Sequence, residues 1–169
     1  MSGNSSARLT FAAIGVVCVM LLCTAYFLQY GPGQQQPCPL CILQRYAYLA
    51  IAVVALLAAA VGPGHVVAML CAGTLVGLAV IGAALASWQL GKGDSMASCQ
   101  GDPVGQFVYN LPMRSWWPEF LAAYGGCADK YPPIFGFSIP LWSLIWFAGL
   151  AVICALMLLR INGVTHKRA

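Results

Sequence analysis

Four long apolar stretches constrain this chain more than any other feature of its sequence. They cover residues 10–30, 41–61, 65–90 and 139–159. Each is long enough for a helix to cross a bilayer core of about 30 Å, which takes roughly 20 residues. The chain is 61% hydrophobic and only 7% charged, so its charged residues are too few to cover a water-soluble surface. We therefore predict an all-α integral membrane protein, built as a bundle of four transmembrane helices.

The segments that join the predicted spans differ greatly in length. Spans two and three are separated only by the Gly-Pro-Gly sequence at 62–64, which predicts a tight hairpin. The loop at 31–40 is short, whereas the loop at 91–138 carries most of the charged residues and several prolines. Its aromatic residues at 115–124 predict a short amphipathic helix that lies on the membrane surface.

The distribution of basic residues predicts how the bundle is oriented. The tails at 1–9 and 160–169 contain arginine and lysine but no acidic residue, whereas the long loop mixes both signs of charge. An excess of Lys and Arg marks the cytoplasmic side of a membrane protein. We therefore expect both tails in the cytoplasm and the loops at 31–40 and 91–138 on the outer side.

The eight cysteines fall into two groups by their predicted depth in the membrane. Four lie inside predicted spans, where free cysteine commonly serves as a small apolar residue: Cys18, Cys23, Cys71 and Cys154. The other four all map to the outer side of the membrane: Cys38, Cys41, Cys99 and Cys127. This shared location makes the second group the candidate for redox chemistry.

Cys38 and Cys41 form a C-x-x-C motif where the first outer loop becomes the second helix. The partial positive charge at a helix N-terminus stabilises a nearby thiolate. Arg45 follows one turn later on the same helix face and adds a permanent positive charge. The pattern predicts a reactive thiolate at the membrane interface, with Arg45 binding an anion or polar acceptor beside Cys41. Alternatively, Arg45 is an interfacial anchor whose guanidinium reaches the lipid phosphates.

The outer cysteines are also compatible with a zinc site or with a set of structural disulfides. Zinc is disfavoured because Cys99 and Cys127 are 28 positions apart and have no histidine nearby. We therefore predict no metal site. Structural disulfides are permitted in an oxidising compartment and would account for Cys99 and Cys127. They account for a C-x-x-C motif followed by an arginine less well, because disulfides that close short loops are the labile ones.

Together these features resemble the DsbB family of disulfide-forming quinone reductases. The resemblance lies in the four spans, the Pro-Cys-Pro-Leu-Cys sequence at 37–41, Arg45, and the two cysteines of the long outer loop. It extends to the aromatic stretch before Cys127 and to the Phe-Gly-Phe-Ser-Ile-Pro-Leu-Trp sequence at 135–142, and so covers essentially the whole chain. It implies a single membrane domain over 1–169 in the bacterial inner membrane, a four-transmembrane-helix bundle whose long periplasmic loop contains the short amphipathic helix.

The resemblance also implies a redox relay. A periplasmic dithiol protein of the DsbA type would be reoxidised, and its electrons would pass to a membrane quinone, ubiquinone or menaquinone. In this relay the partner's thiolate attacks Cys99, and Cys127 exchanges with Cys38. Cys41 then faces the quinone while Arg45 polarises a ring carbonyl.

Two positions depart from the family's pattern. The acidic residue that commonly precedes the arginine is Gln44 here, and the outer end of the third span has Gln89 but no histidine. The resemblance therefore assigns no proton donor to the quinone. Two alternative functions are a quinone reductase of the vitamin K epoxide reductase type, whose close cysteine pair tends to belong to a later span, and a non-catalytic membrane protein with structural disulfides.

Overall fold

A computed structural model describes residues 2–31, 36–62, 64–92, 103–123 and 133–166 of the chain. Cys99 and Cys127 lie outside these residues, and so do the predictions made for them. The described part contains seven helices: α1 (Ser2–Tyr30), α2 (Pro39–Val61), α3 (His65–Lys92), α4 (Pro103–Tyr109), α5 (Met113–Trp116), α6 (Pro118–Leu121) and α7 (Ile139–His166).

Helices α1, α2, α3 and α7 are long and apolar enough to cross a membrane. Large apolar side chains cover their outer surfaces, for example Leu57, Leu70 and Leu159, which are 59%, 63% and 66% exposed. Such surfaces are stable in lipid but not in water, since the driving force for burying apolar groups is their removal from water. The predicted all-α fold with four membrane helices is confirmed.

The four long helices pack in chain order, α1 on α2, α2 on α3, and α3 on α7. Their shared core includes Phe11, Ile51, Leu75 and Phe147, each of which is fully buried. Cys18 and Cys154 are buried in the same core. Small residues allow close approach between the helices, and at Gly82 of α3 a Cβ atom would collide with the ring of Phe147.

We expect Gly82→Ala to destabilise the bundle. The Phe147 ring is fully buried and stacks on Tyr48 at 4.0 Å, so it cannot move aside for the added methyl group. Overpacking of this kind costs about 1–3 kcal/mol. Thermal unfolding in detergent measures the effect. Gly77→Ala on the same helix is the matched control, because its methyl would meet no atom within 4 Å, and equal melting temperatures for the two variants would contradict the expectation.

The hairpin between α2 and α3 defines the end of the bundle opposite the C-x-x-C motif. Helix α2 ends at Gly62, whose φ of 64° is left-handed and whose N–H donates to the Ala58 carbonyl at 3.1 Å. Arg8, near the start of α1, donates from Nε to the Ala59 carbonyl at 3.0 Å. The start of α1 and the α2–α3 hairpin therefore lie together, and the C-x-x-C motif is at the other end of α2.

The long loop is more helical than the sequence predicts. Helix α4 was not predicted, and its Val108 packs with Ile42 of α2 and Ala123. The predicted amphipathic segment at 115–124 is divided at Trp117, which has φ −144° and ψ 71°. The division has a steric cause, because Pro118 disfavours helical geometry in the residue before it. The loop is thereby folded onto the end of α2 that carries the two cysteines.

Candidate redox site

The two cysteines of the C-x-x-C motif lie together at the N-terminus of α2. Cys38 is the N-cap residue, and its Sγ accepts a hydrogen bond from the Cys41 backbone N–H at 3.2 Å. Pro39 occupies the first turn, where its fixed φ suits a helix start. The two Sγ atoms are 2.6 Å apart, compared with about 2.05 Å in a disulfide bond. The pair is therefore placed to form and break a disulfide with little movement.

The two sulfurs differ in their surroundings. Cys38 is only 3% exposed, whereas Cys41 is half-buried. The hydrogen bond with Cys41 and burial raise the pKa of the Cys38 thiol. The Cys38 thiol therefore loses its proton less readily than an ordinary cysteine.

Arg45 is buried beside the motif, with 7% of its surface exposed. Its Nη1 donates to Gln29 Oε1 at 2.7 Å and to the Phe120 carbonyl at 2.9 Å, and its Nη2 donates to the Ala25 carbonyl at 3.3 Å. The guanidinium carbon also lies 5.1 Å from the centre of the Phe120 ring. The side chain is turned into the protein, so the alternative of an interfacial anchor that reaches the lipid phosphates is wrong.

The hydrogen bonds of Arg45 leave part of its donor capacity unused. All its partners within the described part of the chain are neutral oxygen atoms. A guanidinium has five N–H donors, and these three bonds leave Nε–H and one Nη2–H without a protein acceptor in that part. Within the described residues, the site therefore presents a buried positive charge with two N–H donors that no protein acceptor occupies.

Gln29 of α1 was missed by the sequence analysis. It is 3% exposed, accepts from Arg45 and donates from Nε2 to the Glu119 carbonyl at 2.9 Å. The Tyr30 hydroxyl donates to the same carbonyl at 2.7 Å. The available signal was a glutamine at the end of an otherwise apolar span, since a polar side chain in a membrane helix generally faces a protein partner. Gln29 and Tyr30 together hold α6 against the site.

Gln44 and Gln89, the two departures from the family's pattern, are hydrogen-bonded to each other. Gln44 Nε2 donates to Gln89 Oε1 at 2.8 Å. Gln89 Nε2 lies 3.4 Å from the Sγ atoms of both Cys38 and Cys41. The end of α3 thus contributes an amide donor to the cysteine pair. From the sequence alone, this region was notable only because it lacks the histidine found in some members of the family.

A cavity of about 720 Å³ adjoins these groups and is lined by α1, α2, the end of α3 and the segment from residue 133 to residue 146. Its polar part contains Cys41, Gln44, Arg45 and Gln89. Most of the remaining wall is apolar or aromatic and includes Leu21, Leu28, Ile134, Ile139, Trp142 and Trp146. Its volume is in the usual range for a small-molecule site, about 300–1,000 Å³.

The segment before α7 closes one side of this cavity. Ile134 and Phe137 pair across a tight turn, in which Phe135 and Gly136 have φ of 52° and 82°. Trp142 of α7 donates from Nε1 to the Ile134 carbonyl at 2.9 Å and so fixes the turn to the helix. Across the described ranges, no group of three or more His, Cys, Asp or Glu residues is arranged to hold a metal ion.

Comparison with known proteins gives a consistent result over most of the chain. The model of the family described as "Disulfide bond formation protein DsbB" matches residues 7–157. A Disulfide bond formation protein B of Ralstonia nicotianae is 38% identical over 164 residues, which are 95% of this chain and 98% of the relative. The protein of the same name from Burkholderia thailandensis is 38% identical over 92% of both chains, and that from Burkholderia ambifaria is 39% identical over 92% of this chain and 88% of the relative.

Proposed function

The chain belongs to the DsbB family of disulfide bond formation proteins, and on this premise we propose that it oxidises a periplasmic dithiol protein of the DsbA type with a membrane quinone. Family membership and the four membrane helices make it a multi-pass inner-membrane thiol oxidoreductase. The observation that supports the proposed dithiol-to-quinone reaction is the location of the cysteine pair. Its half-buried sulfur, Cys41, lines an apolar cavity together with a buried arginine.

The first half of the reaction is thiol–disulfide exchange, which we assign to all four outer cysteines. The partner's thiolate forms a disulfide with Cys99 and breaks the Cys99–Cys127 bond. The released Cys127 thiolate attacks Cys38, breaks the Cys38–Cys41 bond and leaves Cys41 as a thiolate. The partner's second thiol then attacks the bond to Cys99 and releases the partner as a disulfide. Cys99 in turn attacks Cys127, which breaks the Cys127–Cys38 bond, restores Cys99–Cys127 and leaves Cys38 as a thiol. Two electrons have moved from the partner to the Cys38–Cys41 pair, and each step replaces one S–S bond with another.

The burial of Cys38 places a requirement on this exchange. Cys38 is 3% exposed and its Sγ lies 3.4 Å from Gln89 Nε2, so little of its surface is open to an attacking sulfur. Cys38 must become accessible before Cys127 can attack it.

In the second half of the reaction the Cys38–Cys41 pair is reoxidised, and the quinone supplies the two-electron, two-proton acceptor. The cavity fits such a group, because it combines an apolar wall with the buried Arg45 side chain and the Cys41 sulfur. Arg45 would bind a ring carbonyl oxygen and stabilise the negative charge that develops there. The apolar side chains of α1 and α7 would hold the ring. Of the two protons that accompany the two electrons, the Cys38 thiol would supply one, and the other would come from the solvent into which the exchange steps released it.

The proposed orientation places the redox site at the periplasmic face. The start of α1 lies beside the α2–α3 hairpin, at the end of the bundle opposite the C-x-x-C motif. With both basic tails in the cytoplasm, as the charge distribution predicts, Cys41 is reached from the periplasm.

A reconstituted assay tests the proposal directly. The purified protein in lipid nanodiscs is supplied with a soluble quinone analogue and a reduced DsbA-type protein, and quinol formation is followed by absorbance. We expect one quinol for each disulfide formed in the partner. Thiol oxidation without quinone consumption, or no reaction with any thioredoxin-like dithiol protein, would refute the proposal.

We expect Cys127→Ala to trap the soluble partner on Cys99. Without Cys127, the Cys99 thiol can attack the oxidised partner and form an intermolecular disulfide that no second loop cysteine resolves. Non-reducing electrophoresis followed by mass spectrometry should show a covalent adduct through Cys99. The double variant Cys99→Ala/Cys127→Ala is the control and should form none. An adduct through Cys38 or Cys41 in place of Cys99 would contradict the assigned order of exchange.

A further inference from the structure

The end of α3 contributes one side chain, Gln89, to the sulfurs of the cysteine pair. Its Nε2 lies 3.4 Å from Cys38 Sγ and 3.4 Å from Cys41 Sγ. Apart from the cysteines themselves, it is the hydrogen-bond donor to these sulfurs within the portion of the chain that the structure describes. The amide is thus shared between the two atoms that exchange electrons.

Gln44 determines which end of the Gln89 amide faces the sulfurs. A glutamine amide has a donor nitrogen at one end and an acceptor oxygen at the other, and rotation exchanges them. Gln44 Nε2 donates to Gln89 Oε1 at 2.8 Å, and this bond holds the Gln89 oxygen against the Gln44 side chain. The nitrogen is consequently the end that points to the sulfurs. With the amide reversed, its oxygen would face the thiolate and repel it.

A donor in this position distinguishes between the oxidation states of the pair. An N–H group binds a negatively charged acceptor more strongly than a neutral one. Disulfide sulfurs are neutral, whereas opening the disulfide leaves a thiolate on Cys41, so the amide favours the state that transfers electrons. Arg45 contributes charge at longer range, because its three hydrogen bonds all go to oxygen atoms of other residues.

We propose that Gln89 is a further catalytic residue, which donates a hydrogen bond to the Cys41 thiolate, and that Gln44 is the positioning residue that keeps the Gln89 amide in the donating orientation. This inference rests on the proposed redox role of the cysteine pair. Both glutamines are uncharged, so the stabilisation of the Cys41 thiolate by the Gln89 amide does not depend on the protonation of either glutamine side chain.

The rate of Cys41 alkylation tests the inference without quinone or partner. Iodoacetamide reacts with the thiolate, so its rate at fixed pH reports the thiolate fraction of the reduced protein. We expect Gln89→Leu to slow alkylation of Cys41 about tenfold at acidic pH, where only a small fraction of Cys41 is thiolate, the effect of losing one hydrogen bond to a charged group. Peptide mapping by mass spectrometry separates Cys41 from the other cysteines.

Whether the alkylation rate of Cys41 falls or rises distinguishes a hydrogen-bonding role of Gln89 from a purely structural one. A variant that merely loosens the packing exposes Cys41 and speeds alkylation, whereas loss of the donor slows it. Gln89→Glu keeps the shape of the side chain but places a carboxylate near the sulfurs, so it should also slow the reaction and decides the question even if Gln89→Leu does not fold. Ser87→Ala is the matched control, because the Ser87 hydroxyl donates to the Ala83 carbonyl of its own helix, at 2.8 Å, and makes no hydrogen bond with the cysteine pair among the residues that the structure covers.

Gln44→Leu tests the positioning role separately. It leaves the Gln89 amide in place but free to rotate, so alkylation of Cys41 should slow by less than in Gln89→Leu. An unchanged or faster rate in both Gln89 variants would overturn the proposal, and an unchanged rate in Gln44→Leu would overturn the role of Gln44. These outcomes are independent of the oxidase assay, so failure of this inference is distinguishable from failure of the proposed function.

Discussion

Cys41→Ser should reduce quinone-dependent oxidation of the dithiol partner to the rate measured without protein. A serine hydroxyl cannot form a disulfide, and at neutral pH it is not an anion that can donate electrons. Cys38 cannot replace Cys41, because it is 3% exposed and a single cysteine has no partner within the motif with which to form a disulfide. The measurement is quinol formation with the reduced partner as the electron source.

Cys23→Ser provides the matched control for this experiment. Cys23 is an exposed cysteine on the surface of α1, and serine is close to it in size. Its replacement should leave the rate of quinol formation unchanged. Substantial turnover by Cys41→Ser would show that another sulfur passes the electrons, and the assignment of the cavity as the acceptor site would then be wrong.

Arg45→Ala should slow quinone reduction by about a hundredfold, the usual effect of removing one preorganised group that stabilises developing negative charge. Thiol exchange with the partner should slow far less. The loop stays attached to the bundle in this variant, because the Glu119 carbonyl still accepts from Gln29 and Tyr30. The two half-reactions are measured separately, by quinol absorbance and by partner disulfide formation in a single turnover without quinone.

Two further variants make the Arg45 experiment specific. Arg45→Lys keeps the charge but loses the planar array of donors, so we expect its rate of quinone reduction to lie between those of the wild type and Arg45→Ala. Arg8→Ala removes an arginine at the opposite end of the bundle, where it binds the Ala59 carbonyl, and should leave both half-reactions unchanged. Equal losses in the two half-reactions of Arg45→Ala would contradict the proposed role.

The membrane helices and the location of the cysteine motif could be predicted because their signals are local. A run of about 20 apolar residues specifies a span without knowledge of its neighbours. The C-x-x-C motif at the start of such a run specifies a helix N-terminus, and the spacing of Cys41 and Arg45 places both on one face of α2. These inferences require only the helical repeat and the thickness of a bilayer.

The polar contacts of the site could not be predicted, because they depend on how each helix is rotated about its axis. Gln44 and Gln89 are 45 positions apart and meet only because α2 and α3 present these faces to each other. An arginine at the end of a span can point its side chain either into the protein or out to the lipid. Arg45 points inward because its buried hydrogen-bond acceptors lie on α1 and α6, which are distant in sequence. The division of the amphipathic segment before Pro118 was predictable in principle, since proline restricts the residue before it.

The N-cap of α2 places activity and stability in opposition. Serine, aspartate and asparagine are the side chains that best satisfy the free N–H groups of a first turn. The chain instead uses the sulfur of Cys38, a weak acceptor, to bind the Cys41 N–H. An N-cap residue with a side-chain oxygen, such as serine, would stabilise the helix better than Cys38 does, but the protein would then lose the capacity to exchange disulfides at this position. Weak attachment of the first turn is therefore a cost of function, and it lies at Cys38, the residue that must become accessible for exchange.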